Sequence, residues 1–134
     1  RNTLLSILIK YQKNHLKNIN MEGVKKACKI AEIENLIKNS ENGLDSIIGE
    51  RGLKISGGER QRLTIAKAVY ANKDIYLFDE ATNAIDEETE MKIYGNLRSI
   101  LDNKIIILIS HNDKVQKFCD HVYEIRNKNV KILK

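Results

Sequence analysis

Ile75-Tyr76-Leu77-Phe78 runs straight into Asp79-Glu80. Four apolar residues that stop on two acids read as a short buried strand rather than a helix. A second uninterrupted run, Ile105-Ile106-Ile107-Leu108-Ile109, ends at Ser110-His111. Between the two, a helix starts near Asp86. Glu87, Glu88 and Glu90 sit in its first turn, where the helix dipole favours acids, and Met91, Ile93, Tyr94, Leu97, Ile100 and Leu101 form its buried side. Strand, helix and strand of these lengths, with no tight hairpin between the strands, predict a parallel βαβ unit with a right-handed crossover. The expected class is α/β, and its topology brings Asp79, Glu80 and His111 to the carboxyl edge of one sheet, where open α/β sheets hold ligands.

Upstream, Ser56-Gly57-Gly58-Glu59 ahead of Leu63, Ile65, Ala66, Val69 and Tyr70 predicts a helix opened by a capping box, with both glycines in its first turn. Earlier still, Val24, Ala27, Cys28, Ala31, Ile33, Leu36 and Ile37 recur at three- and four-residue spacing and predict one amphipathic helix over 21–38. Turn formers follow at Asn39 to Gly43, then a loop punctuated by Gly49 and Gly52. Residues 1–20 carry no clear cap and support no assignment. Downstream, a short helix capped by Asn112 or Asp113 carries Val115 and Phe118. Val122 to Ile125 and Val130 to Leu133 flank the turn Arg126-Asn127-Lys128-Asn129 and predict a terminal hairpin.

The 134 residues are 42% apolar and 31% charged, which suits one soluble domain with one core. No run approaches the length of a membrane helix and no secretory signal opens the chain. Cys28 and Cys119 lie among apolar helical residues and read as reduced thiols of a cytoplasmic protein. The net charge of +5 is uneven: residues 1–54 hold ten Lys/Arg against six Asp/Glu, 55–103 six against nine, and 104–134 seven against three. That carboxylate-rich middle, with no Arg-rich arm among aromatics, argues against a nucleic-acid module. Arg1 opens inside an apolar-patterned stretch, which reads as a portion of something longer.

Two acids closing a buried strand need a metal, a hydrogen bond or a proton to offset their desolvation. Mg²⁺ bound to phosphate fits: Asp79 would hold the cation, while Glu80 stands free to orient or deprotonate a water. An Asp-Glu pair capping the next turn is the plain alternative. His111 can donate to a phosphoryl oxygen or hold the water-orienting acid. Ser56, Gly57 and Gly58 offer a hydroxyl and bare N–H groups at a helix amino terminus, a phosphate-binding device, or simply a cap with glycines for close packing.

The ordered set is more specific than any member. Ile-Ser-Gly-Gly-Glu-Arg-Gln-Arg at 55–62 resembles the signature motif of ATP-binding cassette (ABC) ATPases. Residues 75–80 resemble their Walker B, Ala-Thr-Asn-Ala-Ile-Asp at 81–86 their D-loop, and Ile-Ser-His at 109–111 their switch histidine. The resemblance covers nearly the whole chain. It implies a partial P-loop NTPase-like domain: a helical subdomain and exporter-type loop over 1–54, then the carboxyl-terminal part of the nucleotide-binding core over 55–134, with parallel βαβ and terminal hairpin. It implies ATP and Mg²⁺ as cofactors. Ser56, Gly57, Gly58 and Glu59 would meet the γ-phosphate of ATP held by an opposing subunit, Asp79 would serve Mg²⁺, Glu80 would be the general base, His111 the γ-phosphate sensor, and Asp86 a contact to the other nucleotide site. Glu50-Arg51-Gly52 is similar to a loop by which exporters touch their transmembrane domains. The implied partners are a second nucleotide-binding domain, the transmembrane domains and the amino-terminal half of the same domain, at the cytoplasmic face of a membrane.

The sequence departs from the family at Glu59 (commonly Gln), Asn83 and Ile85 (Ser and Leu) and Asn112 (Arg). It holds no G-x-x-x-x-G-K-[ST], no glutamine loop and no adenine-stacking aromatic upstream, so the chain lacks the cradle for ATP in cis. Two other functions fit these residues: a non-catalytic module that docks on an intact partner, and the carboxyl lobe of a chromosome-maintenance type DNA-tethering ATPase. The second calls for a long coiled coil, and 1–54 shows no sustained heptads. Removal of half a sheet is expected to expose strand edges and promote association.

Overall fold

A computed structural model describes residues 3–10, 19–49, 53–100 and 103–134. Helices α1 (Leu4–Leu8), α2 (Met21–Ile30) and α3 (Glu34–Lys38) precede α4 (Gly57–Tyr70); β1 (Ile75–Asp79), α5 (Glu87–Ile100) and β2 (Ile105–Ile109) follow, and β3 (Tyr123–Arg126) with β4 (Asn129–Ile132) closes the chain. Short 3-10 turns lie at Gly43–Asp45 and Asp113–Phe118.

The βαβ expectation holds in its pairing: β1 and β2 run parallel, in register from Ile75 opposite Ile105 to Asp79 opposite Ile109. Alternation then sorts the side chains. Tyr76 and Phe78 are buried, with parallel rings whose centroids lie 6.1 Å apart. Ile75, Leu77, Ile105, Ile107 and Ile109 are exposed on the other face, Leu77 at 63%. The reading of Ile75–Phe78 as a buried strand is therefore corrected to a half-buried one: among the described residues the core covers one face. The opposite face keeps the apolar composition of a covered parallel sheet.

The single helix expected over 21–38 is two helices. Glu32 takes the left-handed conformation (φ 54°), and the Ile33 and Glu32 N–H groups donate back to the Cys28 and Lys29 carbonyls at 3.1 and 3.2 Å. This is a Schellman ending, closed by fully buried Ile33, with glutamate where glycine is usual. Asn96 of α5 steadies the end, its Nδ2 donating to Glu32 Oε1 at 2.9 Å. The unassigned first segment forms α1, capped by the Thr3 hydroxyl, which accepts from Ser6 N–H at 3.1 Å, and tied to the 46–48 strip through Leu4 N–H to Ser46 O, also 3.1 Å.

α1 and α2 pack on α4, and α2 also meets α5. One core joins Leu4, Leu8, Ile30, Ile33, Ile65, Ile93 and Leu97 to the buried side of β1. Met91 is only partly buried, and the Ile100 side chain and Leu101 lie outside the described residues. So does the exporter-type loop Glu50-Arg51-Gly52. Both cysteines are free; burial pushes the Cys28 thiol up to about 11 and raises that of half-buried Cys119. The hairpin forms as expected, Asn127 (φ 51°) and Lys128 (φ 62°) supplying the two left-handed residues of its turn. No helix among the described residues is long and apolar enough to cross a membrane.

Candidate functional site

β1 and β2 end side by side, and Glu80 and His111 meet there. Glu80 N–H donates to Ile109 O at 3.0 Å, and its backbone turns into the left-handed region (φ 45°), a sparsely populated state for glutamate held by the surrounding bonds. The turn brings its carboxylate to His111, with Nε2 and Oε1 2.9 Å apart. An ionised carboxylate only accepts, so the imidazole proton sits on Nε2 and is donated. Asn83 Nδ2 donates to the other oxygen, Oε2, at 2.7 Å. Glu80 is thus oriented through both oxygens, while the His111 side chain stays 88% exposed. Asp79 occupies the last rung of the pair opposite Ile109, exposed at the same edge.

Ser56, Gly57, Gly58 and Glu59 form the opening of α4 as a complete capping box. Ser56 Oγ accepts from Glu59 N–H at 3.2 Å, and Glu59 Oε2 accepts from Ser56 N–H at 2.7 Å. Glu59 therefore turns onto its own helix start, and the backbone N–H of Ser56 holds its carboxyl below the ordinary glutamate value. Gly58 is a packing necessity as well: a Cβ there would fall 2.7 Å from Ala84 O. Asp86 serves as a cap too, Oδ1 accepting from Thr89 N–H at 2.9 Å at the start of α5, a bond that lowers its pKa.

The helix opening and the strand-end pair both contact one loop. They are bridged by the 81–86 loop, which Gln61 of α4 grips by accepting from Ala84 N–H at 2.8 Å. Sequence reading missed Gln61, treated Asn83 only as a departure from a pattern, gave Asn112 as a candidate cap, which it is for the turn at Asp113–Phe118, but not as a partner of Glu90, and took Glu90 as a dipole-favoured acid of the first turn. Glu90 is instead 7% exposed. A signal was present: Glu90, Ile93, Tyr94 and Leu97 follow the i, i+3, i+4, i+7 stripe, and an acid on a core stripe requires donors.

A family model described as ABC transporter matches residues 3–83. The chain is 44% identical over 96 residues to an ATP-dependent lipid A-core flippase of Methylobacillus flagellatus (72% of this chain, 16% of the flippase). It is 36% identical over 109 residues to an alpha-hemolysin translocation ATP-binding protein of Escherichia coli O157:H7 (81% of this chain, 15% of that protein). Its fold matches the solved structure of a bacterial Atm1-family ABC exporter with ATP bound, with a TM-score of 0.77 and 34% identity, over 91% of this chain and 21% of the exporter's. The chain thus spans a fifth or less of the length of its curated relatives. On the family match, the identities and the shared fold, this chain belongs to the ABC transporter family and corresponds to part of the nucleotide-binding domain of its exporters.

Proposed function

We propose that the chain is part of an ATP-hydrolysing nucleotide-binding domain that couples hydrolysis, at the interface with a second such domain, to export through transmembrane domains at the cytoplasmic face of a membrane. In that reading residues 1–54 belong to the helical subdomain and 55–134 to the carboxyl-terminal part of the core. The observation that carries it is Glu80, placed at the carboxyl edge of two parallel strands and held by His111 at 2.9 Å and Asn83 at 2.7 Å. A general base must be pre-aimed, and these two bonds aim it.

The residues present suit one side of a nucleotide. At the opening of α4 the Gly57 and Gly58 N–H groups fall among those that an α-helix leaves without intrahelical partners, and a phosphate can receive them beside the Ser56 hydroxyl. Asp79 offers the hard oxygen donor that Mg²⁺ shares with phosphates and water. Bound ATP and Mg²⁺ would supply the phosphoryl bond to be cleaved and the charge that offsets its oxygens. Glu80 would orient a water and take its proton, His111 would hold Glu80 in line, and Asp86 would face the neighbouring domain while capping α5. The remaining phosphate contacts need a P-loop, which this sequence lacks, so the amino-terminal part of the domain is an obligate partner. The open apolar face of β1 and β2 is where it would sit.

The test is Glu80→Gln in the complete protein. ATP turnover should be abolished while ATP-dependent association of the two domains persists. Turnover at the wild-type rate would refute the role given to Glu80.

A further inference from the structure

Glu90 lies in the first turn of α5, buried, with both carboxylate oxygens engaged. Thr82 Oγ1 donates to Oε1 at 2.6 Å, and Asn112 Nδ2 donates to Oε2 at 2.7 Å. Thr82 has one hydroxyl proton and spends it on Glu90, so across the 3.0 Å contact with Tyr94 the phenol donates to Thr82. The Asn112 amide is fixed from its other end, where Oδ1 accepts from Lys114 N–H at 3.1 Å. Reversing the amide would set oxygen against oxygen.

The two arms lead to the same place. Thr82 directly precedes Asn83, whose amide donates to Glu80 Oε2. Asn112 directly follows His111, whose ring donates to Glu80 Oε1. Each group that orients Glu80 is therefore the chain neighbour of a group anchored on Glu90.

We infer that Glu90 is a positioning residue for Glu80: one buried carboxylate sets the spacing between the 81–86 loop and the 110–113 turn, and through Asn83 and His111 the direction of the Glu80 carboxylate. This rests on Glu80 being the base, as proposed above. It also gives Asn112 a reason to stand where arginine is common in the family, since a neutral amide completes the set with Thr82 and Tyr94. A small misplacement of a reacting group is enough to slow chemistry on the order of 10- to 100-fold.

The test uses the complete protein with Glu90→Ala, Glu90→Gln and Asn112→Asp, and three readouts: kcat against KM for ATP, Tm, and amide hydrogen exchange of segments 81–86 and 110–113 without nucleotide. Glu90→Ala should cut kcat on the order of 10-fold or more with KM little changed, and quicken exchange in both segments together. Glu90→Gln should restore both, because its carbonyl can accept from Asn112 while its amide donates to Thr82, which then turns its proton to Tyr94. Asn112→Asp, which opposes two carboxylates, should behave like the alanine variant. The inference is overturned if Glu90→Ala loosens neither segment or only one, if kcat is unchanged, or if glutamine rescues nothing. Should Glu90→Ala not fold, Thr82→Val and Asn112→Ala each remove one arm: each should loosen its own segment and lower kcat, and a kcat unchanged in both overturns the inference. If the wild-type protein hydrolyses no ATP, or Glu80→Gln still does, the reading of Glu80 fails, and the exchange of the two segments alone decides whether Glu90 ties them.

Discussion

The acid-bearing edge of β1 and β2 and the outer face of the same strands differ in what they leave unmet. At the edge, Glu80 and Glu90 each have both carboxylate oxygens matched by donors from the same chain. On the face, Ile75, Leu77, Ile105, Ile107 and Ile109 stand open to solvent, and the hairpin adds Ile125, Val130 and Ile132. For buried Glu90 the donors come from the chain itself because a buried acceptor left alone carries its full desolvation penalty. Apolar surface tolerates water at a cost spread over its area, so it can wait for a cover supplied from elsewhere.

The largest expected effect breaks the two faces of β1 apart. Phe78→Ala removes a buried ring and should cost about 3–5 kcal/mol both in the 134-residue chain and in the complete protein. Leu77→Lys should cost the 134-residue chain under about 0.5 kcal/mol, because the side chain is already in water. In the complete protein the same lysine should cost about 3 kcal/mol or more, by burying an unpaired charge. Urea midpoints of both variants in both forms check this. Equal, small effects of Leu77→Lys in the two forms would mean that nothing covers the face.

The same contrast shows what sequence could and could not carry. The βαβ order, the capping box at Ser56 and the hairpin turn were legible because each is local chemistry: an apolar run that stops on acids, a serine three residues before glutamate, and Asn127-Lys128 between two apolar runs. The break at Glu32 was not, because a left-handed residue other than glycine leaves no composition signal, and its stability comes from Asn96 far along the chain. α1 escaped notice for a similar reason, since the 46–48 strip holds it. The open face was not legible because an apolar run reads alike whether its cover lies in the same chain or another. At the site, topology alone placed Glu80 beside His111. Asn83 and Gln61 depend on the path of the 81–86 loop, which no periodicity encodes.

A second, smaller effect sharpens the edge itself by separating two adjacent glycines. A Cβ on Gly57 would meet Ala84 Cβ at 3.6 Å, an ordinary contact, whereas one on Gly58 would press on the Ala84 carbonyl oxygen at 2.7 Å. Gly58→Ala should therefore destabilise the complete protein by about 1–3 kcal/mol and release Ala84 N–H from Gln61. Gly57→Ala should be neutral, or stabilising by up to about 1 kcal/mol through helix propensity. Tm and exchange at Ala84 distinguish them. Equal losses at both positions would mean that the glycines are needed for something other than the approach of the loop.

The smallest effect concerns charge at the opening of α4. Glu59 accepts from Ser56 N–H, and this bond keeps its folded carboxyl below the ordinary value of 4.5. The unfolded chain therefore takes up the proton first as pH falls. The stabilisation is fully present above the ordinary glutamate range and is lost as pH drops through that range towards the lowered native value. Glu59→Gln keeps an acceptor for Ser56 N–H but removes the charge from the helix amino terminus. At pH 7 it should cost about 0.3–1 kcal/mol. Because glutamine does not titrate, the gap between wild type and Glu59→Gln should narrow as pH falls below about 4. Urea midpoints of the two proteins at pH 7 and pH 3 measure that gap at each end. A gap of the same size at both would show that Glu59 acts through the shape of its hydrogen bond and not through its charge. The persisting gap would then have to come from how glutamate and glutamine, the commoner residue of the family here, differ in packing and in accepting from Ser56 N–H at the opening of α4, with no part for the titrating charge.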